Sequence, residues 1–211
     1  MAVVGIVPAG GSGERLGADR PKAFVVCADR PLIEWSLDVL HQVCDRVIVA
    51  APHGYVELPD FVHGGESRSA SVRNAVEAAP EASVFVVHDA ARPLVTRELV
   101  ERCVAALEPG VDGAIAAIPM TDTVKEVAPD GRVLRTLDRS TLWAVQTPQV
   151  FRADILRRAL ERDAAALAAA TDDAWLVDDV GGVITVVEAF PQNIKVTHES
   201  DLRIVEALLA D

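Results

Sequence analysis

The chain has 211 residues, half of them hydrophobic but only 4% aromatic, and a formal net charge of −12. Its length suits one domain with an embellishment, and its acidity excludes a surface built to neutralise long runs of nucleic-acid phosphate. No apolar stretch approaches the ~20 residues that span a bilayer, and Cys27, Cys44 and Cys103 lack CxxC spacing, so a reduced, cytoplasmic protein contacting neither membrane nor nucleic acid is expected.

Residues 2–8 form a Val- and Ile-rich run with no basic leader, which predicts a buried first strand rather than a secretion signal. A helix is predicted over 31–43, a strand over 46–51, a helix over 69–79 and a strand over 83–88. Thr96 then opens a helix over 96–108, followed by a strand over 112–118. Residues 119–139 break this rhythm, because Val124, Val127, Val133, Leu134 and Leu137 flank the strong turn Pro129-Asp130-Gly131. The pattern predicts a projecting hairpin with too few large apolar residues to stand alone, either packed on a second subunit or left as a plain surface hairpin. One helix is predicted over 152–170, because Ala favours helix, then a strand over 183–187 and a helix over 198–210 opened by Thr197 or His198. The alternation predicts an α/β fold: a Rossmann-like, mainly parallel sheet with helices on both faces, in a single domain over 1–211 with 119–139 as its arm.

The first strand runs into Pro8, Ala9, Gly10, Gly11, Ser12 and Gly13, where glycines let backbone N–H groups approach an anion closely. A Walker loop requires Gly-Lys-Ser/Thr where Gly13-Glu14-Arg15 stands, and a dinucleotide fingerprint requires a third glycine where Leu16 stands. What remains is GxGxR followed by Pro21-Lys22, which delivers Arg15 and Lys22 to the same end of the strand as the glycines and suits a triphosphate.

Residues 64–72, with Gly65, Glu66, Ser69 and Ser71, open a helix that either is simply capped or also binds a ligand through its free N–H groups. The run at 84–93 places Asp89 immediately after a buried strand, where open α/β sheets bind ligands, with Arg92 beside it as a phosphate ligand. His88 is read as packed and hydrogen-bonded rather than chemical.

These blocks and those that follow them resemble the 2-C-methyl-D-erythritol 4-phosphate cytidylyltransferase family of sugar-phosphate nucleotidyltransferases. The later blocks are Asp122-Thr123, Asp138-Arg139, Leu142-Trp143, residues 146–149, Thr171-Asp172 and residues 193–197. The resemblance implies that residues 8–13, Arg15 and Lys22 cradle cytidine triphosphate, with Gly65, Glu66, Ser71 and Asp89 completing the nucleotide site. Glu66 departs from the Asp found in some members. It implies that Asp89, Arg92, Thr123, Arg139, Thr147 and Lys195 bind the polyol phosphate, with Thr123 and Arg139 supplied by the partner of a homodimer. Arg15, Lys22, Arg139 and Lys195 then carry catalysis, and Mg2+ bridges triphosphate oxygens without a protein cage. A ribitol 5-phosphate cytidylyltransferase and a non-catalytic nucleotide-binding regulator remain as alternatives.

Overall fold

Along the first strand, β1 (Val3–Pro8), burial reaches both faces: Val4 and Ile6 pack to one side, Val3 and Val7 to the other. A strand buried on both faces needs helices above and below it, and the rest of the chain supplies them. The computed structural model describes residues 1–17, 19–55 and 60–210. After a short hairpin, β2 (Val26–Cys27) and β3 (Arg30–Pro31), follow α1 (Leu32–Leu40), β4 (Arg46–Ala51), β5 (Phe61–His63), α2 (Arg68–Glu77), β6 (Val84–Val87), α3 (Arg97–Ala105) and β7 (Gly113–Pro119). The second half comprises β8 (Lys125–Val127), β9 (Val133–Thr136), β10 (Trp143–Arg152), α4 (Ala153–Leu160), α5 (Ala164–Ala169), α6 (Asp173–Asp179), β11 (Ile184–Glu188) and α7 (Glu199–Leu209).

Seven strands form the central sheet in the order β11-β7-β10-β6-β1-β4-β5. All pairings are parallel except those of β10, which runs antiparallel between β6 and β7. Helices α2, α4, α5 and α6 cover one face through Val72, Leu156, Leu167 and Leu176, meeting Ile6, Ile48 and Phe85. Helices α1 and α3 cover the other through Ile33, Leu40, Leu99 and Val100, meeting Val7, Val49 and Val86. The expected Rossmann-like α/β architecture is therefore present, including the hairpin β8–β9 that leaves the sheet after β7. Its base is closed where Trp143 of β10 pairs with Pro119 of β7.

The short strands β2, β3 and β5 were not expected, and three further elements differ from expectation. The helix expected over 152–170 is two helices, because the Asp163 side chain accepts the N–H of Ala166 and caps a new start at Ala164. Strand β10 was not foreseen, since Gln146, Thr147, Pro148 and Gln149 interrupt its apolar pattern. Its pairing with β7 shifts register between Val145 and Gln149, which accommodates a proline in a central strand. Helix α6 was also missed, its apolar centre being short and bracketed by Asp172, Asp173, Asp178 and Asp179.

The cap at Thr96 forms as expected, and of the two starts considered for α7 His198 is the N-cap, its N–H donating to Asp201 at 2.8 Å. All three cysteines are free and buried, and burial pushes the Cys44 and Cys103 thiols up to about 12, as packing residues require. Among the described residues, no helix is long and apolar enough to cross a membrane.

Candidate active site

The parallel strands β1 and β6 end side by side, so the loops that leave them, residues 9–13 and 88–92, share one edge of the sheet. Gly13 adopts φ +78°, a left-handed conformation that glycine tolerates and that turns the chain into a 3-10 turn, Glu14–Leu16, carrying Arg15. The Lys22 N–H donates to the Gly11 carbonyl and folds the second basic residue back onto the loop. The N–H groups of Gly10, Gly11, Ser12 and Gly13 meet no acceptor among the described residues, which leaves them free for an anion.

Two adjoining clefts flank this loop. The first, about 230 Å³, is lined by Pro8, Ala9, Gly10, Gly11, Lys22, Ala23, residues 65–68, Ser71, residues 89–91 and Lys195. The second, about 210 Å³, is lined by residues 11–16, Lys22 and Thr197. Gly11 and Lys22 border both, so a ligand spanning the two passes the Lys22 ammonium. Burial, followed by the like charge of Lys195, pushes the Lys22 pKa below its ordinary value. Thus Lys22, Lys195, Arg15 and Arg68 converge on one edge of a chain whose net charge is strongly negative.

Residues 64–71 shape the far wall. Ser67 caps α2 by accepting the Ala70 N–H at 3.1 Å. The Ser71 hydroxyl accepts the Gly65 N–H at 3.0 Å and donates to the Ser67 carbonyl at 2.9 Å. A Cβ at Gly65 would lie 2.5 Å from that of Ala70, so only glycine permits the approach. Ser71 therefore sets the backbone of this wall, while exposed Glu66 faces the cleft.

Asp89 divides its carboxylate: Oδ1 accepts from Arg68 Nε at 3.0 Å and Oδ2 from Lys195 Nζ at 2.7 Å. Burial alone favours the neutral acid, but Arg68, Lys195 and Arg92 outweigh it and hold this carboxyl far below the usual range. Arg68, in turn, loses to burial but gains more from Asp173 and Asp89, which keep it charged. Sequence reasoning had not singled out Arg68 or Asp173, because Asp173 is remote in sequence and sits in a helix whose pattern was unreadable.

Thr147 is buried beside Asp89, where its hydroxyl accepts the Asp89 N–H at 3.0 Å and lies 3.1 Å from His88 Nδ1. His88 Nε2 lies 3.2 Å from the Arg92 carbonyl, so a proton on Nε2 lets Thr147 donate to Nδ1 and satisfies all three groups. His88 is thus the packed histidine that was expected, and burial pushes its pKa down to about 4. Arg92 is itself buried, donating to the Asn193 carbonyl at 2.7 Å. Arg92 and Thr147 do not line either cleft directly. Thr123 and Arg139 do not either: both are exposed at the base of the arm, where Arg139 donates to the Thr121 carbonyl.

A sequence model of the family described as IspD, 2-C-methyl-D-erythritol 4-phosphate cytidylyltransferase, matches residues 3–211. The chain belongs to this family. Among its relatives, the cytidylyltransferase of that name from Nocardia farcinica is 44% identical over 99% of this chain and 94% of its own length. Another, from Rubrobacter xylanophilus, is 41% identical over 98% and 94%. The crystal structure of the Thermus thermophilus cytidylyltransferase superposes with a TM-score of 0.83 at 34% identity, covering all of both chains.

Proposed function

We propose that the protein transfers a cytidylyl group from cytidine triphosphate to 2-C-methyl-D-erythritol 4-phosphate, releasing pyrophosphate, and that it works in the cytoplasm as a homodimer. The observation that carries this reading is the position of Lys22 between the Gly-rich loop and Lys195, where a triphosphate and an acceptor phosphate would meet. An oxygen of the acceptor phosphate attacks the α-phosphorus in line, a new phosphoanhydride bond forms, and the bond to the β-phosphate breaks. No proton need move, since a phosphate monoester is largely ionised at neutral pH. The task left to the chain is orientation and charge neutralisation. Lys22 and Arg15 stabilise charge on the α-phosphoryl group and on pyrophosphate, while Lys195 holds the acceptor phosphate. The free amides of residues 10–13 cradle the triphosphate, and the wall at Gly65 and Glu66 faces the base.

Among the described residues no three His, Cys, Asp or Glu side chains converge, and both oxygens of Asp89 are taken by cations. Magnesium would enter with the nucleotide rather than in a cage of protein ligands. When bound there it would neutralise charge along the triphosphate.

Arg92 and Thr147 support the acceptor side from beneath, through Asn193 and the Asp89 backbone. Thr123 and Arg139 belong to the partner's site in this reading. The arm is suited to an interface, since Val127, Val133 and Leu134 are about half exposed on it. The ribitol 5-phosphate alternative is not favoured by the family match.

Pyrophosphate release by the purified protein, with each of the four nucleoside triphosphates and with both polyol phosphates, tests the assignment. The expected outcome is turnover with cytidine triphosphate and methylerythritol phosphate well ahead of every other pair. Equal rates with adenosine triphosphate, or release with no pair, would overturn it.

A further inference from the structure

Asp173 is wholly buried at the first position of α6 and does not line either cleft. Its Oδ2 accepts from an Arg68 guanidinium N–H at 2.6 Å, while its Oδ1 has no partner among the described residues. Burying a carboxylate with one oxygen unpartnered costs stability, and a hydrophobic side chain of similar size would fill the space better. Packing alone therefore does not explain an ionisable group here.

We infer that Asp173 is a positioning residue for the acceptor half of the reaction, acting through Arg68 and Asp89 on Lys195; this rests on the cytidylyltransferase reading. The guanidinium of Arg68 spans two carboxylates, giving Nε to Asp89 and a terminal nitrogen to Asp173. By holding that terminal nitrogen, Asp173 fixes the plane of the guanidinium, which meets Oδ1 of Asp89 while Oδ2 is presented to Lys195 at 2.7 Å. Without the charge on Asp173, the Arg68 guanidinium loses one of its two fixed points and is free to swing, and the Asp89 carboxylate that it orients turns with it. Lys195, whose ammonium is tied to Asp89, then loses its anchor.

The position of Asp173 is itself fixed from the acceptor side. Asp172 caps α6 at the Trp175 N–H and accepts from Gln149 at 2.9 Å, while Gln149 Oε1 accepts the Ala174 N–H. Gln149 belongs to β10, the strand that carries Thr147. One helix end thus links the strand beneath the acceptor to the arginine beside it.

The test uses the full-length protein, after wild type has been shown to release pyrophosphate with both substrates. Absence of wild-type turnover would sink the underlying assignment and this inference with it. Given an active enzyme, Asp173→Asn is expected to raise KM for methylerythritol phosphate about tenfold while leaving KM for cytidine triphosphate within about twofold. Arg68→Lys, which keeps the charge but cannot span both carboxylates, should show the same acceptor defect, with its melting temperature reporting that it folds. The double variant should be no worse than Arg68→Lys alone, because the effect of Asp173 passes through that arginine. An unchanged acceptor KM in either folded variant would overturn the inference. So would an equal rise in both KM values, or effects that multiply in the double variant.

Discussion

At the end of β6, Asp89 is buried and its carboxylate shared between Arg68 and Lys195, whereas on the arm Val127, Val133 and Leu134 lie about half exposed on a two-stranded ribbon. The walls of the cleft are drawn from four parts of the chain: the loop after β1, the start of α2, the end of β6 and the segment before α7. The arm inverts this, showing apolar groups to solvent and leaving Arg139 exposed, with a backbone carbonyl of the same arm as its one hydrogen-bond partner among the described residues. Charged groups enclosed within one fold can be oriented without help. Apolar and cationic groups on an exposed ribbon acquire a purpose when something covers them, and we propose a second copy of the chain as that cover.

The largest effect is expected in the cleft. Lys22→Ala should lower kcat by about 10²-fold, since loss of one charge contact to the transition state costs ~3 kcal/mol. Its melting temperature should stay near that of wild type, because Lys22 lies at the cleft surface and its ammonium makes one hydrogen bond to the backbone, at Val196. Turnover close to wild type, measured by pyrophosphate release, would remove Lys22 from the mechanism.

The second effect concerns the groups beneath the cleft. His88 has a folded pKa of about 4 against an ordinary value of 6.5, first because of burial, with Asp89 and Arg92 as its charged neighbours. Between those values the unfolded chain takes up a proton that the folded one refuses, so stability is fully present above pH 6.5 and is lost as pH falls through 4. The loss amounts to roughly 3 kcal/mol. Asp173 works in the opposite sense, since burial raises its pKa, so the measurement is the difference between wild type and His88→Asn in denaturant melts across this window. That difference should shrink as pH falls, and parallel profiles would show that His88 does not titrate as its burial requires.

The smallest effect on the fold is expected on the arm. Leu134→Asp removes an exposed side chain and should change the subunit's own stability by less than about 0.5 kcal/mol. If the arm is an interface, however, its sedimentation should shift from dimer toward monomer. Unchanged association would leave the arm as the plain surface hairpin.

Much of this organisation was legible because hydrophobic periodicity and turn chemistry are local. The strands at 2–8, 46–51, 83–88, 112–118 and 183–187 correspond to β1, β4, β6, β7 and β11, and Pro129-Asp130-Gly131 marked the turn between β8 and β9. What failed depended on the fold around it. Strand β10 is held by pairing on both sides despite Pro148, and the break at Asp163 is a side-chain cap that competes with helical continuation. In the site, the Gly-rich loop, Lys22 and Asp89 were read from motifs and Lys195 from the family resemblance, and all of them line one cleft. Arg68 and Asp173 were not, because their ion pair joins residues 105 positions apart. Thr147, assigned to substrate by resemblance, also bonds His88 and the Asp89 N–H through its hydroxyl, a tertiary contact that no local pattern shows.

Subunit complementation tests most directly whether the site is completed across an interface. Lys22→Ala and Arg139→Ala, each inactive alone, are mixed in equal amounts under conditions of verified subunit exchange. In a mixed dimer the Lys22→Ala chain lends its Arg139 to the partner's intact cleft, so one site is whole and the other carries both defects. With random pairing, half the dimers are mixed, and activity per protomer is expected to recover to about a quarter of wild type. Recovery to that level would support the shared site, and no recovery after exchange would contradict it.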